Sequence, residues 1–136
     1  MKQLVFILLL LPALISCQSG DKQPAGSPGA TTLEWVDSTT QNLGKITEGS
    51  IAEVTYRFKN TGTKNLVIEE VRAGCGCTVA EKPLKPIAPG ESEVIKAKFD
   101  SNGRPVGMNE KEVYVTANTT EKSYTLKFRV EITPKQ

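Results

Sequence analysis

The chain has 136 residues, of which 38% are hydrophobic and 24% are charged, and its formal net charge is +2. These values are typical of one globular domain with an appended segment, and a near-neutral charge without a basic cluster argues against nucleic acid as a partner. The chain contains no histidine, so it lacks the side chain that most often serves as general base or metal ligand.

The first 16 residues have the pattern of a secretory signal peptide. Lys2 precedes an apolar run at residues 4–11, and small residues lead up to Ser16, as in exported proteins. The run is too short to cross a bilayer, which takes about 20 apolar residues. The tetrad Leu14-Ile15-Ser16-Cys17 resembles a bacterial lipobox, in which the peptide is cut before the cysteine and the cysteine is acylated. We therefore predict a signal peptide over 1–16 and a lipid anchor of the palmitate type at Cys17.

The residues after Cys17 are predicted to form a flexible tether. Residues 17–30 contain no large apolar side chain and are rich in Gly, Pro and Ser, so burial cannot offset their chain entropy. Two or more acyl chains on one residue anchor a protein stably, whereas a single chain binds marginally. Gln18, rather than an aspartate, follows the cysteine, which by resemblance to bacterial lipoproteins favours the outer membrane. The predicted location is the cell envelope, with the membrane face left open.

From about Thr31 the sequence predicts strands and no helix. In residues 52–59 and 122–133 apolar side chains alternate with polar ones, which places the apolar set on one face of a strand. Turn-forming residues separate such segments, and prolines at 83, 86 and 89 exclude regular ladder pairing between them. The predicted strands are 33–38, 52–59, 65–71, 91–100, 110–117 and 122–133, with a loop at 39–44 and a proline-rich connection at 81–89.

About seven short strands in about 100 residues predict an immunoglobulin-like antiparallel β-sandwich over 31–136. Antibody domains join their two sheets by cysteines that lie far apart in sequence. Here the only cysteines of the folded part, Cys75 and Cys77, are two residues apart. A disulfide between the two sheets within this chain is therefore excluded.

The motif Gly74-Cys75-Gly76-Cys77-Thr78 is the main candidate site. In a fully extended strand the two cysteine Cα atoms would be ~6.5 Å apart, near the upper limit for a disulfide, and Gly76 could bring them closer. The cell envelope outside the inner membrane permits disulfides. A bridge in so small a loop would add little stability. A local disulfide is therefore one interpretation of the motif.

Three other interpretations of the cysteine pair stay open. Two thiolates suit a Cu(I) ion, although a closed zinc site needs four ligands and the chain has no histidine or further cysteine for one. The thiols of Cys75 and Cys77 could instead pair with a partner's cysteine, or stay reduced as small half-buried hydrophobic side chains. Arg72 either lowers a thiol pKa or faces solvent. We expect no resident metal and no cofactor.

The chain from about 31 to 133 resembles a bacterial domain of unknown function, family 1573. The resemblance implies a fold like the PapD and major-sperm-protein branch of immunoglobulin-like sandwiches, whose members are mostly protein-binding modules. In one place the chain departs from the family, since Asn42-Leu43-Gly44 stands where an aspartate-aromatic-glycine triplet is common. The matching residues are Asn60-Thr61-Gly62, Leu66-Val67-Ile68, Gly74-Cys75-Gly76-Cys77-Thr78, Pro86-Ile87, Pro89-Gly90-Glu91 and Gly107.

The sequence thus predicts a lipid-anchored envelope protein whose single domain is a non-catalytic protein-binding or structural module. Carboxylates such as Glu69 and Glu70 have no nucleophile or general base beside them in sequence, so we expect no enzyme activity. The expected partners are the membrane, through Cys17, and an unidentified envelope protein. The alternative is a thiol-redox or Cu(I)-handling protein that uses Cys75 and Cys77.

Overall fold

The computed structural model describes residues 29–136, in which eight strands form two sheets of four. The first sheet has the order β1-β3-β6-β5, and the second has the order β2-β8-β7-β4. The predicted all-β sandwich is confirmed, with eight strands rather than seven. The strands are β1 (Leu33–Trp35), β2 (Thr40–Thr47), β3 (Ile51–Asn60), β4 (Ile68–Ala73), β5 (Thr78–Glu81), β6 (Ser92–Asp100), β7 (Gly107–Ala117) and β8 (Ser123–Thr133).

The core lies between the sheets and follows the alternation in the sequence. Every second residue of β3 is buried, from Ala52 to Phe58, and β8 buries Leu126, Phe128, Val130 and Ile132 opposite them. The Phe99 and Phe128 rings meet edge to face with centroids 5.9 Å apart. Burying each such side chain contributes about 1.5–3 kcal/mol. Because the pattern has period two, a shift of one residue would turn these side chains to solvent.

The prediction of a loop at 39–44 is wrong, because the structure has β2 there. β2 pairs with β8 in parallel, so the second sheet is mixed rather than antiparallel. Its pairing shifts register between Asn42 and Lys45, where Gly44 has a left-handed φ of 74° and donates its N–H to Asn42 Oδ1 at 2.9 Å. This irregular edge strand carries no regular row of large apolar residues, which is the signal that identified the other strands.

The sequence interpretation also missed β5. Its four residues come directly after Cys77, and the sequence predicts no strand there, with Glu81 placed in the proline-rich connection. β5 pairs antiparallel with β6, from Thr78 opposite Phe99 to Glu81 opposite Lys96. The proline-rich connection that follows runs outside the strands, and a single bridge between Leu66 and Ile87 ties it to the sandwich.

One end of the sandwich is held by the buried side chain of Asn60. Its Nδ2 donates to the carbonyls of Lys64 at 2.8 Å and Ile87 at 2.9 Å. Its Oδ1 accepts from the Thr31 hydroxyl and from Gly62 N–H, both at 3.1 Å. Asn60 is 0% exposed, and these four bonds use all the hydrogen-bonding capacity of the amide.

A second asparagine, Asn118, holds the same end. Its Nδ2 donates to the carbonyls of Asn65 at 2.9 Å and Gly29 at 3.3 Å, and its Oδ1 accepts from Val67 N–H at 2.6 Å. Its backbone carbonyl accepts from Thr31 N–H at 3.0 Å. We call this region, with Thr31, Asn60 and Asn118, the amide end. In the described part of the chain, no helix is long and apolar enough to span a membrane.

Candidate functional site: the cysteine corner

The chain passes from one sheet to the other at the cysteine motif. β4 ends at Ala73 in the second sheet, and β5 begins at Thr78 in the first. Both are edge strands, so residues 74–77 form a tight connection along one side of the sandwich. We call residues 74–78 the cysteine corner.

Two backbone hydrogen bonds attach this corner to neighbouring strands, and a third closes it internally. Gly74 N–H donates to Glu112 O of β7 at 2.9 Å, and Asp100 N–H of β6 donates to Cys77 O at 2.9 Å. Within the corner, Thr78 N–H donates to Cys75 O at 3.3 Å. The corner is therefore attached to both sheets without any contribution from the cysteine side chains.

The sulfurs of Cys75 and Cys77 are bonded in the structure, 1.98 Å apart, with Cα atoms 5.3 Å apart. This Cα distance lies in the usual range for disulfides and is shorter than the ~6.5 Å of an extended chain. The sequence left a disulfide as one of several interpretations. The oxidation state of the pair in the cell stays a prediction.

The two glycines of the motif differ in what requires them. A Cβ at Gly74 would lie 3.2 Å from Glu112 O and 3.5 Å from Tyr114 Cε2, so glycine allows the close approach to β7. A Cβ at Gly76 would meet no atom within 4 Å apart from those of its chain neighbours Cys75 and Cys77, and its φ is outside the left-handed region. Gly74 therefore has a steric reason to be glycine, whereas nothing in the structure explains Gly76.

The two sulfurs lie in different surroundings. Cys77 is 6% exposed and belongs to the hydrophobic core, whereas Cys75 is only partly buried and packs against the core from outside. The Thr78 side chain, also 6% exposed, places its hydroxyl 3.6 Å from Cys75 Sγ and 3.9 Å from Cys77 Sγ. The threonine of the motif thus contacts both sulfurs.

An open groove of about 280 Å³ lies beside the corner. Its lining includes Cys75 but not Cys77, together with Gly74 and residues 110–112 and 114 of β7. Glu112 on its wall accepts from Tyr114 Oη at 2.6 Å and pairs with Lys127 Nζ at 2.9 Å. The hydrogen bond from Tyr114, and then Lys127, lower the pKa of the Glu112 carboxyl below its ordinary value. Of the two cysteines, only Cys75 therefore lines the groove, and the Glu112 carboxylate on its wall is already paired.

The Arg72 side chain packs on Tyr114. Its guanidinium carbon lies 4.8 Å from the centre of the Tyr114 ring, a cation–π contact on the outer face of the second sheet. Within residues 29–136, no group of three or more His, Cys, Asp or Glu side chains is arranged to hold a metal. Bonded sulfurs have no thiolate to offer, so Cu(I) binding would require the reduced pair.

One predicted site residue lies outside the described part of the chain, and two buried asparagines were not predicted from the sequence. Cys17, with the signal peptide and most of the tether, lies outside the described residues, so its acylation stays a prediction. Asn60 and Asn118 lie between predicted strands, where the sequence predicts turns. An asparagine that ends an alternating strand at an inward-facing position, as Asn60 does after Phe58, is the signal that could have identified a buried amide.

Comparison with solved structures supports the fold. A protein of unknown function from Porphyromonas gingivalis W83 matches with a TM-score of 0.66 and 17% identity, over 76% of this chain and 47% of that one. The PapD-like domain 7 of human CEP192 matches with a TM-score of 0.57 and 12% identity, over 88% and 97% of the two chains. The VesB protease of Vibrio cholerae matches at 0.53 and 14%, over 74% and 31%. Such identities show the fold alone, and this chain spans about half the length of the Porphyromonas protein.

Comparison with the curated proteins gives no match. A family model described as protein of unknown function DUF1573 matches residues 33–132, from the first residue of β1 almost to the end of β8. The match covers both sheets and the cysteine corner between them. The chain therefore belongs to the DUF1573 family, with an immunoglobulin-like fold similar to PapD-like domains.

Proposed function

We propose that this chain is a lipid-anchored envelope protein whose domain binds or holds other envelope proteins and catalyses no reaction. The observation that carries the proposal is a stretch of β6 that no strand of the described chain covers. Unpaired strand edges bind extended segments of other proteins through main-chain hydrogen bonds. The edges of this sandwich differ in how open they are.

β5 covers only half of β6. The pairing ends at Glu81 opposite Lys96. Asp100 N–H donates to Cys77 O. Hydrogen-bonded pairs recur at every second residue of an antiparallel ladder, so continuing the ladder from Asp100 and Cys77 would pair Val94 with residue 83. That residue is a proline, which has no N–H to donate. The ladder therefore stops, and residues 92–95 of β6 have no strand on this side.

A groove of about 620 Å³ opens at this place, lined by residues 83–87 and 91–93. Leu84 on its rim is 93% exposed, which is unusual for so large an apolar side chain. By the alternation of the ladder the Val94 N–H lies on this uncovered side of β6, and it donates to the neighbouring Glu93 Oε2 at 3.1 Å. A short extended segment of a partner would fit in line with β5, pair with β6 and cover Leu84.

The other edges are less available. Lys82 Nζ donates to the carbonyl of Ile68 at 3.2 Å and to that of Glu69, which covers the free side of β4. The Ser38 hydroxyl accepts from Thr40 N–H and donates to Thr40 O at the start of β2. β1 has only three residues. Side chains that cover an edge and very short edge strands commonly protect sheets from pairing with other chains. The uncovered stretch of β6 has less of this protection than the other edges.

The titratable groups with shifted pKa values support a non-catalytic role. Hydrogen bonds from Arg57 lower the pKa of Asp37, and those from Tyr114 and Lys127 lower that of Glu112. Ion pairs on solvated sheet faces perturb pKa values in the same direction as active sites do. Here each shifted carboxylate is held by a cation on an outer face of the sandwich.

A photo-cross-linking amino acid at position 84 tests the binding site. The matched control carries it at Met108, which is 63% exposed and belongs to β7 of the other sheet. In intact cells we expect position 84 to capture one discrete envelope protein in near-stoichiometric amount and position 108 to capture none.

Leu84→Asp should abolish capture of that protein by a cross-linker at position 85, while Met108→Asp should leave it unchanged. Both side chains are exposed, so neither substitution should lower the melting temperature. Equal capture at positions 84 and 108, or no capture at either, would contradict the proposal.

The anchor is tested independently. Cys17→Ser should abolish incorporation of labelled palmitate and move the protein from the membrane fraction to the soluble fraction. Gln18→Ser leaves the cysteine in place and serves as the control. Unchanged labelling of the Cys17→Ser protein would overturn the anchoring proposal.

A thiol-redox role is the second candidate, and the bonded sulfurs favour it over Cu(I) handling. Thiol titration of protein isolated under acid quenching should find Cys75 and Cys77 oxidised, and the copper content should equal that of the Cys75→Ser/Cys77→Ser protein. Free thiols with bound copper would instead support the copper role.

A further inference from the structure

We propose that the Cys75–Cys77 bond is a thiol–disulfide exchange site with fixed roles. Cys75 is the sulfur that an incoming thiolate attacks, Cys77 is the sulfur that leaves, and the Thr78 hydroxyl donates a hydrogen bond to the leaving thiolate. The inference rests on the second candidate function and is independent of the β6 groove.

Access separates the two sulfurs. Cys75 is partly buried and lines the 280 Å³ groove, whereas Cys77 is 6% exposed and is not part of that lining. A nucleophile must approach a disulfide sulfur from the side opposite the bond that breaks. Between the two cysteines, the exposed Gly76 carries no side chain, and outside its two chain neighbours no atom lies within 4 Å of a Cβ built on it, so residue 76 does not obstruct the approach. Attack is therefore directed to Cys75.

Thr78 provides a donor where charge develops. Its hydroxyl lies 3.9 Å from Cys77 Sγ and 3.6 Å from Cys75 Sγ, and the sulfurs are the partners that the structure shows for this buried group. In the oxidised state these are weak contacts, because a disulfide sulfur is a poor acceptor. A thiolate is a charged acceptor, and hydrogen bonds to charged groups are stronger. The interaction thus grows as Cys77 leaves.

The corner can lose its disulfide and keep its shape. The bonds from Gly74 N–H to Glu112 O and from Asp100 N–H to Cys77 O attach it to β7 and β6 through the backbone alone. The ring closed by the disulfide contains only three residues, so breaking it releases little chain entropy. Such a bond can be reduced and re-formed in the folded protein.

The exchange balances with a dithiol as the second reactant. A thiolate of the dithiol attacks Cys75 Sγ, the new sulfur–sulfur bond forms, the Cys75–Cys77 bond breaks, and Cys77 Sγ takes the electron pair and then a proton from water. The second thiolate of the dithiol attacks the sulfur of its own partner in the mixed disulfide, which releases Cys75 as a thiolate. The dithiol is oxidised by two electrons and the cysteine pair is reduced; an oxidised partner reverses the sequence.

Single-cysteine proteins test the assignment of the sulfurs. In the full chain carrying Cys17→Ser, Cys77→Ser leaves only Cys75 and Cys75→Ser leaves only Cys77. We expect Cys75 to form the mixed disulfide with glutathione disulfide at least about tenfold faster than Cys77, because attack requires access. Equal rates, or a faster Cys77, would overturn the assignment.

Thr78 is tested in the protein that retains both cysteines. Thr78→Val keeps the shape but removes the donor, and we expect reduction by dithiothreitol to slow about tenfold, the effect of one charge-assisted hydrogen bond. Thr78→Ser should restore the rate. In the Cys75→Ser background, Thr78→Val should also shift the pH midpoint of thiolate absorbance upward, which a purely structural role would not do. An unchanged rate and midpoint would contradict the role of Thr78.

The same measurements separate failure of the inference from failure of the redox function. A pair that dithiothreitol reduces readily but without preference for Cys75 sinks the assigned roles and leaves a redox protein. A pair that dithiothreitol reduces only after the domain unfolds, as followed by tryptophan fluorescence, sinks both.

Discussion

The amide end and the cysteine corner both fasten the sandwich, and they do so in opposite ways. At the amide end, Asn118 bonds to Asn65 and Val67, 53 and 51 positions away in sequence, and Asn60 bonds to Ile87 across 27 positions. At the corner, a covalent bond joins residues two positions apart. The hydrogen bonds of the amide end thus close long loops of the chain, whereas the covalent disulfide closes a loop of only three residues.

The comparison shows that the corner's disulfide needs a reason other than stability. A disulfide stabilises mainly by restricting the unfolded chain, and the effect shrinks with loop size. A disulfide across three residues removes little conformational freedom from the unfolded chain, because residues so close in sequence are already constrained by the backbone. The buried amides, in contrast, would leave several polar groups unpaired if they were lost, at about 1–3 kcal/mol each.

Asn60→Ala is expected to have the largest effect. It removes four hydrogen bonds at a fully buried position, and we expect the free energy of unfolding to fall by about 3 kcal/mol. Urea unfolding followed by Trp35 fluorescence measures it. Asn42→Ala is the control, since Asn42 is exposed and its side chain bonds to Gly44 N–H. A loss below that of reducing the disulfide would reverse the comparison.

Reduction of the Cys75–Cys77 bond should cost less. The loop-closure term for so small a ring is about 1.5 kcal/mol, so urea unfolding with and without dithiothreitol should differ by no more than that. The Cys75→Ser/Cys77→Ser protein should show no further effect of dithiothreitol. A loss above about 3 kcal/mol, the range of larger disulfide loops, would make the bond a structural one.

The two glycines of the corner sharpen the comparison within the motif. Gly74→Ala places a Cβ 3.2 Å from Glu112 O, and we expect a loss of about 1–2 kcal/mol from the strain. Gly76→Ala places a Cβ that meets no residue other than its chain neighbours and keeps an ordinary φ, so we expect stability to stay within about 0.5 kcal/mol. A larger loss for Gly76→Ala than for Gly74→Ala would contradict the geometry.

The stability that the amide end and the cysteine corner contribute should not depend on acid pH, because neither amides nor a disulfide change charge at low pH. The contribution of the ion pairs should depend on it. Arg57 holds the pKa of Asp37 below its ordinary value, so the pair stabilises the fold above the unfolded pKa of about 3.9. This contribution is lost as the pH falls through the lower folded pKa. Asp37→Asn should flatten the melting temperature between about pH 4 and 2, by a small amount since the pair is exposed. An unchanged slope would show that other carboxylates dominate.

The strands that could be predicted from the sequence are those in which buried and exposed residues alternate regularly. β3 and β8 were predicted because their burial alternates strictly along ten or more residues. β2 is half-exposed and bulged, and β5 has only four residues. Neither strand therefore shows a long enough alternation of apolar and polar residues to be recognised in the sequence. The proline-rich connection was located, but the groove it leaves beside β6 depends on where the ladder stops.

The candidate site was located by its motif and not by its geometry. Two cysteines separated by one glycine marked the corner, yet the different burial of Cys75 and Cys77 arises from the passage between sheets, which no local pattern encodes. The contact of Thr78 with both sulfurs likewise follows from the turn. The buried role of Asn60 was not predictable in the same way, because its partners Ile87 and Thr31 are distant in sequence.

The register of β6 gives the molecule a direction. Ser92 pairs with Lys59 next to the amide end, and Asp100 bonds to Cys77. The eight steps between them span about 26 Å. A lipid at Cys17, as proposed, would pull on the domain through Thr31, and the amide end would take that force. The cysteine corner, bonded to the other end of β6 and to Glu112 midway along β7, would then lie away from the point of attachment, within reach of a soluble redox partner.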